Sequence, residues 1–170
     1  MELIPFEPKD YPLLIDWIPS AEFNYQWGGP AYQYPLTIEQ ITRHCDDDTI
    51  FPYLFKVRGV IAGYIELRKI NSTTCRLCRV LILDSHQGLG LSKSMLSLAI
   101  LKAKSDHQCT ALTLCVFEHN AVAISLYTSL GFSVTSVKTG EQEVCGRHWT
   151  GVEMVASIAA SARLAQQVMS

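Results

Sequence analysis

The feature that most constrains this sequence is a junction in which an apolar strand is followed by a glycine-bearing turn and then by a helix. The strand pattern covers residues 75–83, and its nearly continuous apolar end at residues 80–83 is typical of a buried strand. Gly88 and Gly90 follow, and a helix is expected over residues 91–104. Because the first turn of a helix has unpaired N–H groups and a partial positive charge, this junction can bind phosphate oxygens.

The junction can be compared with three known kinds of phosphate-binding loop. A dinucleotide-binding loop of the form G-x-G-x-x-G, as in an NAD-dependent oxidoreductase, needs a third glycine, but Lys93 occupies that position. A Walker A loop, G-x-x-x-x-G-K-[ST], is absent. The pyrophosphate loop of an acetyl-CoA enzyme has the form Q/R-x-x-G-x-G/A, and Gln87, Gly90 and Ser92 fit it, with serine as the last small residue.

The order of the remaining elements predicts an α/β or α+β domain. Further strands are expected at residues 2–6, 51–57, 60–67, 111–117, 132–137 and 148–155, and further helices at residues 8–18, 37–45, 120–130 and 156–169. Residues 19–36 have the composition of an irregular connection, and residues 138–140 that of a turn. The basis for this fold class is a hairpin-rich first half followed by alternating strands and helices.

Length, composition and charge exclude several classes of protein. A chain of 170 residues is expected to form one domain, and 48% hydrophobic with 18% charged residues argues against disorder. Since 14 basic residues stand against 16 acidic ones, no nucleic-acid partner is expected. The apolar runs are far shorter than the roughly 18 residues needed to span a bilayer, so no membrane partner is predicted. The N-terminus has no signal-peptide pattern, which favours a cytoplasmic location.

The six cysteines are expected to be reduced thiols in that compartment. Cys75 and Cys78 form a C-x-x-C pair, but the sequence has no second pair at the spacing of a zinc site. The pair also lies in a predicted strand, whereas redox-active C-x-x-C pairs favour a helix N-terminus. The sequence therefore predicts packing roles for these cysteines and no metal.

A second motif lies about 30 residues after the glycine turn. It reads V-x-x-x-N-x-x-A-x-x-x-Y-x-x-x-G-F from Val116 to Phe132, with Asn120, Ala123 and Tyr127 at spacings that place them on one helix face. Together with the loop at residues 87–92, this motif resembles the GCN5-related N-acetyltransferase (GNAT) superfamily. The resemblance covers roughly residues 50–155.

The resemblance implies an acetyl-CoA-dependent N-acetyltransferase in which an amine attacks the thioester directly, without a catalytic cysteine. It implies a mixed, mostly antiparallel twisted sheet of about six or seven strands flanked by helices. Two strands of this sheet, those before Asp84 and before Glu118, are expected to splay, and the co-substrate inserts between them. Tyr127 is expected to protonate the departing thiolate and Asn120 to contact the co-substrate. The residues expected to hold CoA, by backbone pairing or at the phosphate loop, are Leu81, Ile82, Leu83, Gln87, Gly88, Leu89, Gly90, Leu91, Ser92 and Lys93.

The general base is left open by the sequence. Many members of the family carry an acidic residue on the strand before the phosphate loop, but residues 75–80 contain no carboxylate. Glu66 on the neighbouring strand and Glu118 after the strand at residues 111–117 are the main candidates. His119 and a water relay are the other two.

The acceptor side is indicated by an aromatic segment, because five of the sixteen aromatic residues lie between positions 23 and 34. In the family, the connection between the first two helices borders the acceptor. Trp27 and Tyr32 are therefore candidate substrate-binding residues, although an apolar cluster beneath a long loop is an equal alternative.

The sequence thus predicts a single acetyltransferase domain over residues 1–170. Residues 1–50 supply the acceptor side, residues 51–155 the acetyl-CoA-binding core, and residues 156–170 a terminal helix. The acceptor is expected to be a protein or peptide N-terminus, as in the branch that acetylates ribosomal-protein alanines, or a small amine such as an aminoglycoside or polyamine. A CoA-binding module without turnover is the alternative function. The chain is expected to be a monomer or a homodimer.

Overall fold

The computed structural model describes residues 1–144 and 146–169, which contain a seven-stranded sheet of order β1-β2-β3-β4-β5-β7-β6. The strands are β1 (Glu2–Pro5), β2 (Ile50–Val57), β3 (Val60–Lys69), β4 (Thr74–Ile82), β5 (Ala111–Phe117), β6 (Ser133–Val144) and β7 (Arg147–Ser157). The helices are α1 (Tyr11–Trp17), α2 (Ala21–Gly28), α3 (Ile38–Cys45), α4 (Leu91–Ser105), α5 (Ala121–Ser129) and α6 (Ile158–Met169). Among the described strand pairs only β4 and β5 are parallel, which confirms the predicted mixed, mostly antiparallel sheet.

The sheet buries apolar side chains on both faces. Successive residues of β3 belong to different cores, Tyr64 to the one that includes Leu14 of α1 and Ile65 to the one that includes Leu96 of α4, as expected from the alternation of side chains along a strand. Helices α4 and α6 pack against each other, and Ala162 and Ala165 of α6 are buried. The terminal helix therefore docks on its own chain.

Three helices begin just after a residue whose side chain caps them, and two of these helices, α3 and α5, were predicted. The side-chain oxygens of Ser20, Thr37 and Asn120 each accept a hydrogen bond from a backbone N–H three residues later, at the starts of α2, α3 and α5. These caps satisfy N–H groups that the helices themselves leave unpaired. Asn120, a residue of the second motif, is thereby fixed at the end of β5.

Strands β4 and β5 separate soon after they begin. They pair only over residues 74–76 of β4 and 111–113 of β5, so both strands run on to their C-terminal ends without pairing to each other. A bulge in β4 accompanies this separation, since the register with β3 shifts between Tyr64 and Glu66 and Arg79 has a φ of 51°. The predicted splay of these two strands is confirmed.

Two local predictions are wrong. Residues 21–28, expected in an irregular connection, form helix α2, because Ser20 caps it and Trp27 packs in the core below it. Residues 138–140, expected in a turn, lie within β6, and the hairpin turns after Val144 instead. A longer hairpin results, and it forms one side of the site described below.

The prediction of six reduced thiols is also wrong for one pair. Cys75 of β4 and Cys109 before β5 form a disulfide, with their Cα atoms 6.2 Å apart. Cys45, Cys78 and Cys115 are free, and Cys145 lies outside the described residues. The described residues contain no group of His, Cys, Asp or Glu suited to hold a metal ion. Nor does any helix in the described ranges combine the length and apolar character needed to cross a membrane.

Candidate active site

The space between the splayed strands forms a cleft of about 630 Å³. Tyr127 of α5 lines it and belongs to the core on the α4 side of the sheet. Trp27 of α2 also lines it and belongs to the core on the α1–α3 side. The cleft therefore connects the two faces of the sheet at the point where β4 and β5 part.

The predicted phosphate loop lies beyond the end of β4 and does not line this cleft. The side-chain amide of Gln87 donates to the Asp84 carboxylate at 2.8 Å and to the Ile82 carbonyl at 3.3 Å, which ties the loop to the strand. Gly88 and Gly90 have φ angles of 74° and 71°, and no atom lies within 4 Å of where a Cβ would stand. The loop thus leaves the first turn of α4 open to an anion.

The end of β4 has one edge paired and one edge free of a partner strand. On the β3 side, Leu81 pairs with Tyr64, Ile82 with Gly63, and the Leu83 N–H donates to the Ala62 carbonyl at 2.9 Å. On the other side β5 has already moved away. A free strand edge of this kind offers backbone groups to an extended ligand such as the pantetheine arm of CoA.

Tyr127 and Asn120 lie on the wall of the cleft that α5 provides. Tyr127 is 8% exposed, and its burial raises the pKa of its hydroxyl to about 12. The Asn120 Oδ1 accepts from the Ala123 N–H at 3.2 Å, which leaves its side-chain NH₂ available to a ligand. The structure therefore brings together the three motif residues Asn120, Ala123 and Tyr127, as their helical spacing predicts.

Glu66 is enclosed in a polar network inside the protein. Its carboxylate is fully buried and accepts hydrogen bonds from the Tyr64 hydroxyl at 2.6 Å and from Arg79 at 2.5 Å, and it pairs with His44 at 3.0 Å. Burial alone would raise the pKa of Glu66, but the Arg79 guanidinium and the contact with His44 outweigh it and hold the pKa below its ordinary value. A carboxylate that binds protons weakly and touches neither solvent nor the cleft is a poor general base.

Glu118 and His119 lie at the surface just after β5. Neither side chain lines the cleft. The His119 ring packs edge-on against Trp149, with centroids 4.6 Å apart, and stacks on Phe117 at 5.8 Å. The structure therefore places both candidate bases outside the space where β4 and β5 part.

Two free thiols, those of Cys78 and Cys115, also line the cleft. Burial raises the pKa of both thiols, so they remain protonated near neutral pH. The thiolate, not the thiol, is the nucleophile in cysteine chemistry. This arrangement is consistent with acetyl transfer that uses no cysteine intermediate.

The two predicted acceptor-side residues have different positions. The Trp27 side chain lines the cleft, and its Nε1–H donates to the Arg79 carbonyl at 3.0 Å, which fixes α2 against the bulge of β4. Tyr32 is 4% exposed and does not line the cleft, and its ring stacks behind Trp27 with centroids 5.7 Å apart. Tyr32 therefore supports the wall that Trp27 forms.

Several residues that line the cleft were not identified from the sequence. The rings of Tyr25, Phe117 and Trp149 pack together, with Phe117 and Trp149 centroids 4.9 Å apart. Lys138 and Glu153 come from the β6–β7 hairpin, whose turn was misplaced. A sequence signal existed only for Tyr25, which belongs to the aromatic segment at residues 23–34.

Comparisons with known proteins agree with this geometry. Residues 14–132 match the sequence model of the Acetyltransferase (GNAT) family. The chain is 25% identical over 156 residues to spermidine N(1)-acetyltransferase of Escherichia coli (strain K12), a match that covers 91% of this chain and 84% of that protein. Its fold is similar to that of a spermidine N-acetyltransferase from Vibrio cholerae solved in complex with CoA and spermine, with a TM-score of 0.80, 18% identity, and coverage of 94% and 96% of the two chains.

The family match covers the predicted phosphate loop and the second motif, and it extends into the helices before them. It supports catalysis over the alternative of a CoA-binding module without turnover. The similar proteins named above are spermidine acetyltransferases, so the ribosomal-protein branch stays a prediction. This chain belongs to the GNAT family, and it is an N-acetyltransferase that uses acetyl-CoA.

Proposed function

We propose that this enzyme transfers the acetyl group to a primary amine by direct attack, with Tyr127 as the acid. The observation that carries this proposal is the position of Tyr127, which lines the cleft where β4 separates from β5. The acceptor is a small amine or a peptide N-terminus. The names of the similar proteins add spermidine as a candidate.

The co-substrate is held by two parts of the chain that follow one another. Backbone N–H groups in the first turn of α4, preceded by Gly88 and Gly90, bind the pyrophosphate. The free edge of β4 at Leu81 and Ile82 pairs with the pantetheine arm. Bound acetyl-CoA supplies an acetyl group already activated as a thioester.

Tyr127 supplies the proton that the leaving group needs. As the carbon–nitrogen bond forms and the carbon–sulfur bond breaks, the Tyr127 hydroxyl donates its proton to the sulfur. Since burial raises its pKa to about 12, the hydroxyl is protonated throughout the neutral range. The Tyr127 hydroxyl is therefore available as an acid at every neutral pH at which part of the amine is deprotonated and able to attack.

The proton lost by the amine leaves through water. Glu66 is enclosed away from the cleft, and Glu118 lies outside it. Glu153 lines the cleft, but Arg76 binds both of its oxygens, at 2.9 and 3.0 Å. Among the described residues that line the cleft, no carboxylate is unpaired. The neutral amine is thus the reacting form. Solvent accepts the proton that its nitrogen loses on acylation and returns a proton to the Tyr127 phenolate.

Mass spectrometry of reaction products tests this proposal. The purified protein is incubated with acetyl-CoA and polyamines, aminoglycosides, amino acids, other small primary amines of varied charge and short peptides with varied N-termini. A product heavier by one acetyl group, formed only with the protein present, is the expected result. Bound acetyl-CoA without an acetylated product from any of these amines would contradict it.

A further inference from the structure

The ionisable residues that line the cleft are mostly cations. The described part of the chain contributes Arg68, Arg76, Arg79 and Lys138, and against them only the carboxylate of Glu153. Arg68 and Arg76 also stand directly opposite each other on β3 and β4. Like charges in that position repel, so a cluster of this kind needs anions nearby.

Each of these arginines pairs with one carboxylate, whereas no described carboxylate pairs with the lysine. Arg76 binds Glu153, Arg79 binds Glu66, and Arg68 lies 3.6 Å from Asp47. Lys138 is exposed on β6, and none of the ion pairs between side chains that the structure describes includes it. Among the side chains that the structure describes, the cleft thus holds one positive charge without a carboxylate partner and no carboxylate without a cationic partner.

The phosphates of CoA do not account for these cations. The pyrophosphate loop follows the C-terminal end of β4, whereas Arg76 lies at its beginning, where β4 still pairs with β5. Six residues of strand, Leu77 to Ile82, separate them, or about 20 Å at the rise of an extended chain. Arg76 and its neighbour Arg68 therefore belong to the acceptor's part of the cleft. Lys138 lines the same cleft from β6, which lies on the far side of β5 from β4 and its phosphate loop.

Aromatic rings border the same part of the cleft. Tyr25 stacks on Phe117 with centroids 5.5 Å apart, and both contact Trp149. Gly140 of β6 faces this group, since a Cβ built on it would lie 3.7 Å from the Tyr25 hydroxyl oxygen. The rings offer a flat apolar surface beside the strand that carries Lys138.

We propose that the acceptor molecule carries both a primary amine and an anionic group, a carboxylate or a phosphate, and that Lys138 binds this anionic group. This inference rests on the proposed function and names the acceptor class for the same site. A polyamine meets the opposite arrangement here, because its cations would face four basic side chains and one carboxylate that is already paired. The rings of Tyr25, Phe117 and Trp149 contact the apolar part of the acceptor molecule.

Acceptors built on one skeleton test this proposal. 4-(Aminomethyl)benzoate, its carboxamide and p-xylylenediamine present the same benzylic amine with an anionic, a neutral or a cationic group opposite it. 4-(Aminomethyl)phenylphosphonate tests a phosphate-like anion, and spermidine a polycation. We expect kcat/KM for the better of the two anions to exceed that for the carboxamide about tenfold, and the diamine to be poorer still. The difference should shrink as salt rises.

Charge reversal at Lys138 tests the residue itself. In Lys138→Glu the anionic acceptor should lose its advantage over the carboxamide, while Lys104→Glu, an exposed lysine at the far end of α4, should keep it. Equal kcat/KM for anionic and neutral acceptors, or preference for the diamine or spermidine, would overturn the acceptor class and leave the proposed function standing. If none of these probes and no amine of the earlier panel is acetylated, both proposals fall.

Discussion

Replacing Glu66 with glutamine separates a structural role of this residue from a catalytic one. Glu66→Gln keeps the shape of the side chain but removes the charge that faces Arg79. The Arg79 side chain is 10% exposed and Glu66 is fully buried, so solvent cannot replace the lost carboxylate. The substitution therefore leaves a buried guanidinium without its counter-ion.

The size of the effect follows from this burial. Removing one partner of a buried ion pair costs about 3–5 kcal/mol. In a domain of this length, each kcal/mol lowers the melting temperature by about 2–4 °C, so the midpoint should fall by about 6–20 °C. Glu118→Gln, an exposed carboxylate, should change the free energy of unfolding by less than about 0.5 kcal/mol.

Urea unfolding and steady-state kinetics of the two variants decide between the roles. We expect Glu66→Gln to unfold at markedly lower urea, and the double variant Glu66→Gln/Arg79→Met to recover part of the loss because no buried charge remains. The reasoning would be refuted by a Glu66→Gln protein of unchanged stability whose kcat falls and whose pH profile loses its acidic limb. That result would make Glu66 the general base.

Three further predictions follow from the site and its surroundings. The stability difference between the native protein and Glu66→Gln should shrink in acid. Because the folded state lowers the pKa of Glu66, the carboxylate stabilises the fold above its ordinary pKa of 4.5 and loses this effect as pH falls through the lower folded value. Urea unfolding from pH 7 to pH 3 measures the difference. Gly63→Ala should cost about 2–3 kcal/mol, because its Cβ would lie 2.4 Å from the Leu81 carbonyl oxygen, and an unchanged urea midpoint would contradict this. Gly90→Ala and Gly59→Ala both force alanine to a positive φ, which should lower the free energy of unfolding by about 1–2 kcal/mol. Calorimetry should show weaker CoA binding only for Gly90→Ala. Equal binding by both variants would exclude the loop as the phosphate site.

The parts of the site that lie close together in sequence were predictable. The second motif is a strand, a cap and a helix within residues 116–132, so its helical spacing alone places Asn120 and Tyr127 on one face. The glycine turn before α4 was recognisable for the same reason, since local backbone geometry sets both the turn and the helix start. The splay of β4 and β5 came from the family resemblance.

Features that depend on distant residues were not predictable from local patterns. Glu66 forms an ion pair with Arg79 and contacts His44, which lie on other elements, so its sequence position gave no sign that it is buried. Gly140 resembles a turn residue, but it lies within β6, where a Cβ would stand 3.1 Å from the Trp149 carbonyl oxygen of the neighbouring strand. The Cys75–Cys109 pair likewise joins residues 34 positions apart.

The most direct test of this account compares Tyr127→Phe with the native enzyme. Phenylalanine keeps the ring that packs against Phe132 and removes only the hydroxyl. With an acceptor identified by mass spectrometry, we expect kcat to fall about 100-fold while calorimetry shows unchanged affinity for acetyl-CoA. We also expect that kcat/KM of the native enzyme rises as the amine deprotonates and does not fall by pH 10, since the Tyr127 pKa is about 12. A Tyr127→Phe enzyme with native kcat would contradict the claim that Tyr127 protonates the leaving thiolate in this cleft.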